Sequence, residues 1–270
     1  MSCLLLSIDL EDVRDWVTDG LKYTERVPAN TQCYLDYFRS LGIKATFFIV
    51  GQVARRYPDL IRKIIDEGHE IACHGDTHLQ LDKHTARSFR DDIERNIQSL
   101  VDVGGQDIIG FRAPTFSLIE RTSWAYDVLP EFGIRYSSSV LPARNPLYGW
   151  PEFGAEPRIV NNKIWEIPIT LHTIPGLRVP VMGGVYFRVM PFLLTCMSIW
   201  LSIKKKKPVG TYLHPYDIDT LQERFMHPDL GGKKYLNALM YINRAKVLKR
   251  LGVLHGRYDF CTYQEYIFKM

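Results

Sequence analysis

The stretch His74-Gly75-Asp76-Thr77-His78 sets two imidazoles four residues apart. That spacing lets both reach one metal ion from a helical turn or a tight loop. The residues in front of it, Gly68-His69-Glu70-Ile71-Ala72-Cys73, read as a turn and a short buried strand. The pair is therefore expected at the C-terminal end of a strand, where barrel and open α/β folds carry their chemistry. The first apolar run ends Ser7-Ile8-Asp9-Leu10-Glu11-Asp12. Alternation along an extended chain points Asp9 and Glu11 the same way. Acids this close repel unless they share a cation or a proton. Alone, they read as a solvated loop capping the next helix. Beside the histidine pair, they complete a site of two histidines and one carboxylate with positions left for water and substrate.

Two further strand ends carry chemistry. In Gly110-Phe111-Arg112-Ala113-Pro114, an arginine follows a buried strand and is expected to clamp a carboxylate bidentately, with Asp9 as the target. In Thr211-Tyr212-Leu213-His214-Pro215, the histidine suits a general acid, because its pKa lies near working pH. Gly183-Gly184 with Tyr186 and Arg188 reads as a substrate-facing hairpin, or else as a tight turn before a strand. His69, His172, His227 and His255 lack such context and read as structural.

These groups need a frame of alternating strands and helices. Strand patterns fall at Cys3 to Asp9, Lys44 to Val50, Glu70 to Cys73, Asp107 to Phe111, Ile134 to Tyr136, Val209 to Leu213 and Tyr258 to Cys261. Helical spacing covers Ala29 to Leu41, Gln52 to Glu67, Thr85 to Val103, Glu120 to Phe132 and Lys234 to Arg250, mostly closed by glycine. Repeated βα units imply a parallel sheet with helices outside. The chain reads as a single domain, residues 1–270, with a loop-rich insertion near 140–184 beside the active-site face.

Composition is that of a globular enzyme: 46% hydrophobic and 24% charged over 270 residues. A net charge of +4 leans on the run Lys204 to Lys207 and does not argue for nucleic acid. The five cysteines are widely spaced and read as reduced, mostly buried thiols of a cytoplasmic protein. The N-terminus runs straight into acids and reads as a first strand, without a signal peptide's basic start. Pro191 to Ile203 is almost wholly apolar and too short to span a bilayer. It reads as a buried outer helix with a basic cap at Lys204, Lys205, Lys206 and Lys207. The competing reading is an interfacial helix making weak, salt-sensitive contact with anionic lipid at the inner membrane face.

Together these motifs resemble the polysaccharide deacetylases, the NodB-homology or carbohydrate esterase 4 superfamily. The acidic strand end resembles their first motif, His74-x-x-x-His78 their second, Arg112-Ala113-Pro114 their third and Leu213-His214-Pro215 their last. The stretches Phe111 to Phe116 and Met182 to Pro191 look closest to the branch found with exopolysaccharide and exosortase systems, which is also similar to allantoinase-like deacetylases. The resemblance implies a distorted (β/α)7 TIM-like barrel. It implies Asp9 as general base, oriented by Arg112, and His214 as general acid. It implies Glu11, His74 and His78 as metal ligands, with Asp12 an alternative to Glu11. The Thr115 N–H would help hold the oxyanion. Zinc fits the ligands, and cobalt, nickel or iron are compatible. Two departures stand out: the usual adjacent Asp-Asp pair is Asp9-Leu10-Glu11, and an acid often found near Tyr136 to Ser139 is Ser137. The implied reaction is removal of an N-acyl group, acetyl first, from an amino sugar of a surface polysaccharide or O-antigen precursor. The alternatives are hydrolysis of a cyclic ureide and a non-catalytic glycan-binding barrel.

Overall fold

The run Cys3 to Asp9, expected as one strand, serves two sheets. β1 (Leu4–Leu5) and β2 (Ser7–Leu10) part at Leu6. β1 pairs in parallel with β10 (Val209–Tyr212) and β11 (Phe260–Cys261), and β10 pairs with β9 (Met182–Gly183). β2 opens a seven-stranded sheet. It continues through β3 (Thr46–Ile49), β4 (Glu70–Cys73), β5 (Gly110–Phe111), β6 (Tyr136–Ser137), β8 (Ile164–Glu166) and β7 (Arg158–Val160). Only β7 with β8 is antiparallel. A parallel bridge between Ile8 and Leu213 stitches the two sheets, with the Asp9 N–H donating to the Leu213 carbonyl at 2.7 Å. On the other side, an antiparallel bridge joins Leu171 to Pro180. The fold is α/β with mainly parallel sheets. This computed structural model describes residues 3–269 apart from 146, 175, 177 and 229.

Strand alternation sorts side chains to two faces. Leu4, Ile8, Phe47, Ile49 and Ile71 pack with helix residues such as Leu35, Phe38, Ile61 and Leu251. Their neighbours Leu5, Phe48, Ala72, Tyr136 and Tyr263 form a separate inner cluster. Ser7 and Asp9 share this inner parity, and Glu11 continues it past the strand end.

The helices are α1 (Val27–Leu41), α2 (Gly51–Arg56), α3 (Pro58–Asp66), α4 (Ala86–Asp102), α5 (Ala125–Val128), α6 (Gly184–Val189), α7 (Phe192–Lys204), α8 (Lys234–Leu239), α9 (Val247–His255) and α10 (Tyr263–Ile267). Several expected elements differ. Gln52 to Glu67 is two helices, because Pro58 removes a donor and holds Tyr57 out of helical geometry, at φ −128° and ψ 57°. Glu120 to Phe132 shortens to α5 between tight 3-10 turns. Lys234 to Arg250 breaks near Asn243, whose φ is 56°, and α9 then runs through Gly252. The segment near 140–184 is more than an insertion of loops. Its strand β8 pairs with β6 and so belongs to the main sheet. Residues 146, 175 and 177 of that segment lie outside the described residues.

The cysteine reading also needs correcting. Cys3 and Cys261 sit beside the paired strands β1 and β11 and form a disulfide across 258 positions, with Cα atoms 6.1 Å apart. Cys73 is a buried free thiol, Cys196 is half-buried and Cys33 is exposed. Among the described residues no helix is long and apolar enough to cross a membrane.

Candidate metal centre and active site

The ends of β2, β4, β5 and β10 converge on one open cleft of about 480 Å³. Asp9, Glu11, His74, His78, Thr115 and His214 all line it. The turn after β4 makes this possible. Gly75 has φ +75° and His78 has φ 57°, so the chain doubles back within four residues and aims both rings inward. The histidines reach one point from a tight loop and not from a helix.

Glu11, His74 and His78 offer ligand atoms that all lie within 4.8 Å of one another. The Glu11 carboxylate stands 2.7 Å from His78 Nε2 and 3.9 Å from His74 Nε2. His74 Nδ1 is 2.8 Å from the Arg112 carbonyl. That contact makes Nδ1 the donor and leaves Nε2 a free lone pair facing the cleft. Burial pushes the His74 pKa down to about 4, so the ring is neutral, as a ligand must be. For Glu11, burial favours the acid form, but His78, His214 and His74 outweigh it and hold the pKa down to about 2. Two imidazoles and a carboxylate, open on one side, fit a divalent metal. Asp12, the alternative ligand, is turned away. Its carboxylate accepts from Arg14 Nη2 at 2.6 Å and from Arg56 Nη1 at 3.2 Å, and it caps the turn at Val13.

Asp9 faces the cleft from inside the strand. Arg112 Nη1 donates to its Oδ1 at 2.5 Å. The contact is end-on and not the expected bidentate clamp, because the remaining donors are committed elsewhere. Nε donates to the Ser138 carbonyl at 3.0 Å, and Nη2 donates to the Ser138 hydroxyl and to Tyr263 Oη. The guanidinium lies 4.0 Å from the Phe48 ring centroid and is fully buried. It is a fixed post for Asp9.

Thr115 and Phe116 both sit in left-handed backbone, at φ 54° and φ 55°. Such geometry costs on the order of 1–3 kcal/mol per non-glycine residue and clusters at functional sites. The turn's own bonds use the N–H of Phe116 and of Ser117. Among the described residues the Thr115 N–H has no backbone acceptor.

His214 closes the opposite wall. Its Nδ1 contacts Asp217 Oδ2 at 2.9 Å, and the same oxygen accepts the His214 N–H at 2.8 Å. Its Nε2 is 3.9 Å from Glu11. Burial disfavours the imidazolium, yet Asp217 and Glu11 overcome it and lift the pKa to about 9. Asp217 is held down to about 2 against burial by Arg188 and His214. Tyr216 stacks on the His214 ring at 4.6 Å and an interplanar angle of 9°.

The expected hairpin at Gly183-Gly184 is instead the end of β9 and the start of α6. A Cβ on Gly183 would meet the Tyr212 ring at 1.8 Å, which explains the glycine. Tyr186 and Arg188 do not line the cleft. Arg188 is fully buried, pairs with Asp217 at 2.9 Å and donates to the Met240 carbonyl at 2.8 Å. The sequence reading assigned nothing to Asp217 or Trp16, and it read His227, which lines the cleft, as structural. Trp16 packs on the His78 ring at 4.2 Å, and His227 is buried in the cleft wall. The spacing His214-x-x-Asp217 is a visible capping box and would have found the aspartate.

Residues 18–136 match the family model described as polysaccharide deacetylase, and residues 138–268 match a domain of unknown function, DUF3473. Residues 18–136 thus belong to the polysaccharide deacetylase superfamily. It is similar to a peptidoglycan-N-acetylglucosamine deacetylase of Bacillus cereus, 30% identical over 92 residues, covering 34% of this chain and 34% of that protein. A chitooligosaccharide deacetylase of Sinorhizobium fredii is 37% identical over 70 residues, covering 26% and 31%. The matches thus span about a third of the length of these two curated relatives. The crystal structure of a putative polysaccharide deacetylase from Mycobacterium smegmatis superposes with a TM-score of 0.65 at 19% identity, covering 99% of this chain and 90% of that one. The family match begins after Asp9 and Glu11 and stops before His214. The place of those three residues in the site rests on geometry.

Proposed function

We propose that this protein is a metal-dependent deacetylase that hydrolyses the N-acetyl group of an amino sugar within a glycan. One observation carries the reading. A two-histidine, one-carboxylate cluster, an arginine-fixed aspartate and an aspartate-held histidine face one another across an open cleft. The two sheets are read as arcs of a distorted (β/α)7 barrel with this cleft at its C-terminal mouth.

Glu11, His74 and His78 would hold the metal, with zinc first and cobalt, nickel or iron compatible. When bound, it would supply the Lewis acid that polarises the amide carbonyl and eases deprotonation of water. Asp9, held by Arg112, takes the proton of the attacking water. The Thr115 N–H would donate to the developing oxyanion. His214, cationic below pH 9 and oriented by Asp217, protonates the leaving amine. Trp16 and Tyr216 frame the cleft with flat apolar faces suited to a sugar ring. An open cleft suits a polymer or a lipid-linked precursor better than a small cyclic ureide. The substrate proposed is a surface-polysaccharide or O-antigen precursor, in keeping with the exopolysaccharide-associated branch, and the compartment proposed is the cytoplasm, at the inner membrane face. A cytoplasmic protein would keep Cys3 and Cys261 reduced, so thiol labelling in intact cells tests that compartment.

The purified protein should bind about one equivalent of divalent metal and release acetate and free amine together from N-acetylated chito-oligosaccharides. Metal binding with no acetate from any N-acetyl glycan would instead favour the non-catalytic glycan-binding reading.

A further inference from the structure

α7 (Phe192–Lys204) is amphipathic the wrong way round for a helix facing water. Its polar residues Thr195, Ser198 and Ser202 are buried, the Ser198 hydroxyl at 2.8 Å from His172 Nδ1. Ile199 is buried with them, but the outer face is apolar too: Leu193 is 79% exposed, Met197 41% and Trp200 51%. These three fall at i, i+4 and i+7 and so form one continuous stripe. The sequence expectation of a helix buried against the body therefore fails on this face. A water-facing surface helix has the opposite arrangement.

The stripe ends in a basic edge. Lys204, Lys205 and Lys206 are exposed, and Lys204 Nζ lies 5.1 Å from the Trp200 ring centroid. Lys207 pairs with Glu156, the one acid bonded to the run among the described residues. Arg257 is exposed and acts electrostatically on Cys196, which is half-buried on the same helix. The helix has 13 residues, about 20 Å at the usual rise, and cannot span a bilayer.

We propose that α7 lies flat in the interface of an anionic lipid membrane, with Leu193, Met197 and Trp200 in the acyl boundary and Lys204 to Lys206 on the headgroups. The polarity supports a lipid surface over a second copy of the chain. In a two-fold dimer the same patch meets itself, so a second copy brings the lysine run no patch of opposite charge. An anionic surface complements the charge and the apolar stripe together. The inference does not depend on the reaction assigned to the cleft.

Flotation with vesicles of mixed phosphatidylglycerol and phosphatidylcholine, and of phosphatidylcholine alone, tests it. The full chain should float with the anionic vesicles at low salt and much less at high salt. Each lysine near the surface contributes roughly fivefold to partitioning. Replacing Lys204, Lys205 and Lys206 with glutamine should therefore weaken binding at least about tenfold. Leu193→Ser with Trp200→Ser, both exposed and so harmless to the fold, should abolish what remains. Absence of flotation with anionic vesicles at low salt overturns the proposal. So does unchanged flotation in both variants, or a dimer in sedimentation that disappears in Leu193→Ser with Trp200→Ser.

Discussion

The two walls of the cleft are built by different means. The wall with Glu11, His74, His78 and Asp9 is made of strand ends that each deliver a side chain directly, within a few residues of a hydrogen-bonded ladder. The opposite wall is a relay. His214 leans on Asp217, Asp217 on Arg188, and Arg188 on carbonyls of the Met240 turn. Asp217 and Arg188 are fully buried, and His214 is partly exposed to the cleft. The first wall concentrates negative charge that a cation would neutralise. The second neutralises itself and presents a proton. One set of strand ends can thus hold an electrophile and an acid without either suppressing the other.

The largest effect expected on the first wall is loss of the metal. His78→Ala removes one of three ligands and should drop bound metal from about one equivalent to near zero, with the fold intact by circular dichroism. Retained stoichiometric metal would break the assignment. Asp9→Asn should keep the metal and lower turnover by roughly 10²–10⁴, as removal of a general base does. Metal content and acetate release are read on one preparation, and loss of the metal would make Asp9 a ligand.

On the second wall, Asp217→Asn should lower turnover on the order of tenfold or more. It should also leave Arg188 buried without its counter-ion, which typically costs about 3–5 kcal/mol of stability. The pH dependence carries the sign. The folded pKa of His214 is raised to about 9. Its contribution to stability is therefore complete below the ordinary histidine pKa, near 6.5, and is lost as pH rises through 9. That of Asp217, lowered to about 2, is present above the ordinary aspartate pKa and is lost as pH falls toward 2. Denaturant midpoints across pH should show a loss of stability between roughly pH 6.5 and 9 that vanishes in Asp217→Asn. A bound cation would lower the His214 value and shift the window down, which comparison with and without chelator reads directly.

The same contrast explains what could be read from the sequence. The first wall was legible because each of its groups lies one or two residues past a strand whose apolar alternation is plain, as in Ser7-Ile8-Asp9 or Ile71-Ala72-Cys73-His74. The relay was only half legible. His214 follows a clear strand, but Arg188 sits on a short helix that reads as a hairpin, and nothing local says that it is buried. Burial of a charge is a tertiary fact and depends on residues 217 and 240 arriving beside it. The same reason hid β8, whose three residues include a buried acid, and the Cys3–Cys261 pair, which meet only because β1 and β11 are neighbours. Pro58, by contrast, was present in the sequence and breaks the helix by simple sterics.

The smallest effect expected concerns Asp12, and it separates a ligand from a brace on the first wall. Glu11 and Asp12 are adjacent carboxylates and both are buried. Backbone alternation turns them to opposite sides. Glu11 meets the histidines, whereas Asp12 meets Arg14 and Arg56 and caps the turn that carries Trp16 toward His78. Asp12→Asn keeps a side-chain oxygen for the cap and loses only the ion pairs. It should leave metal stoichiometry unchanged, reduce turnover less than about tenfold, and lower stability by about 1–3 kcal/mol in denaturant melts. Glu11→Gln should do the reverse, with metal affinity falling and stability little changed. If Asp12→Asn sheds the metal while Glu11→Gln keeps it, the ligand has been placed on the wrong side of the strand end and the first wall must be redrawn around Asp12.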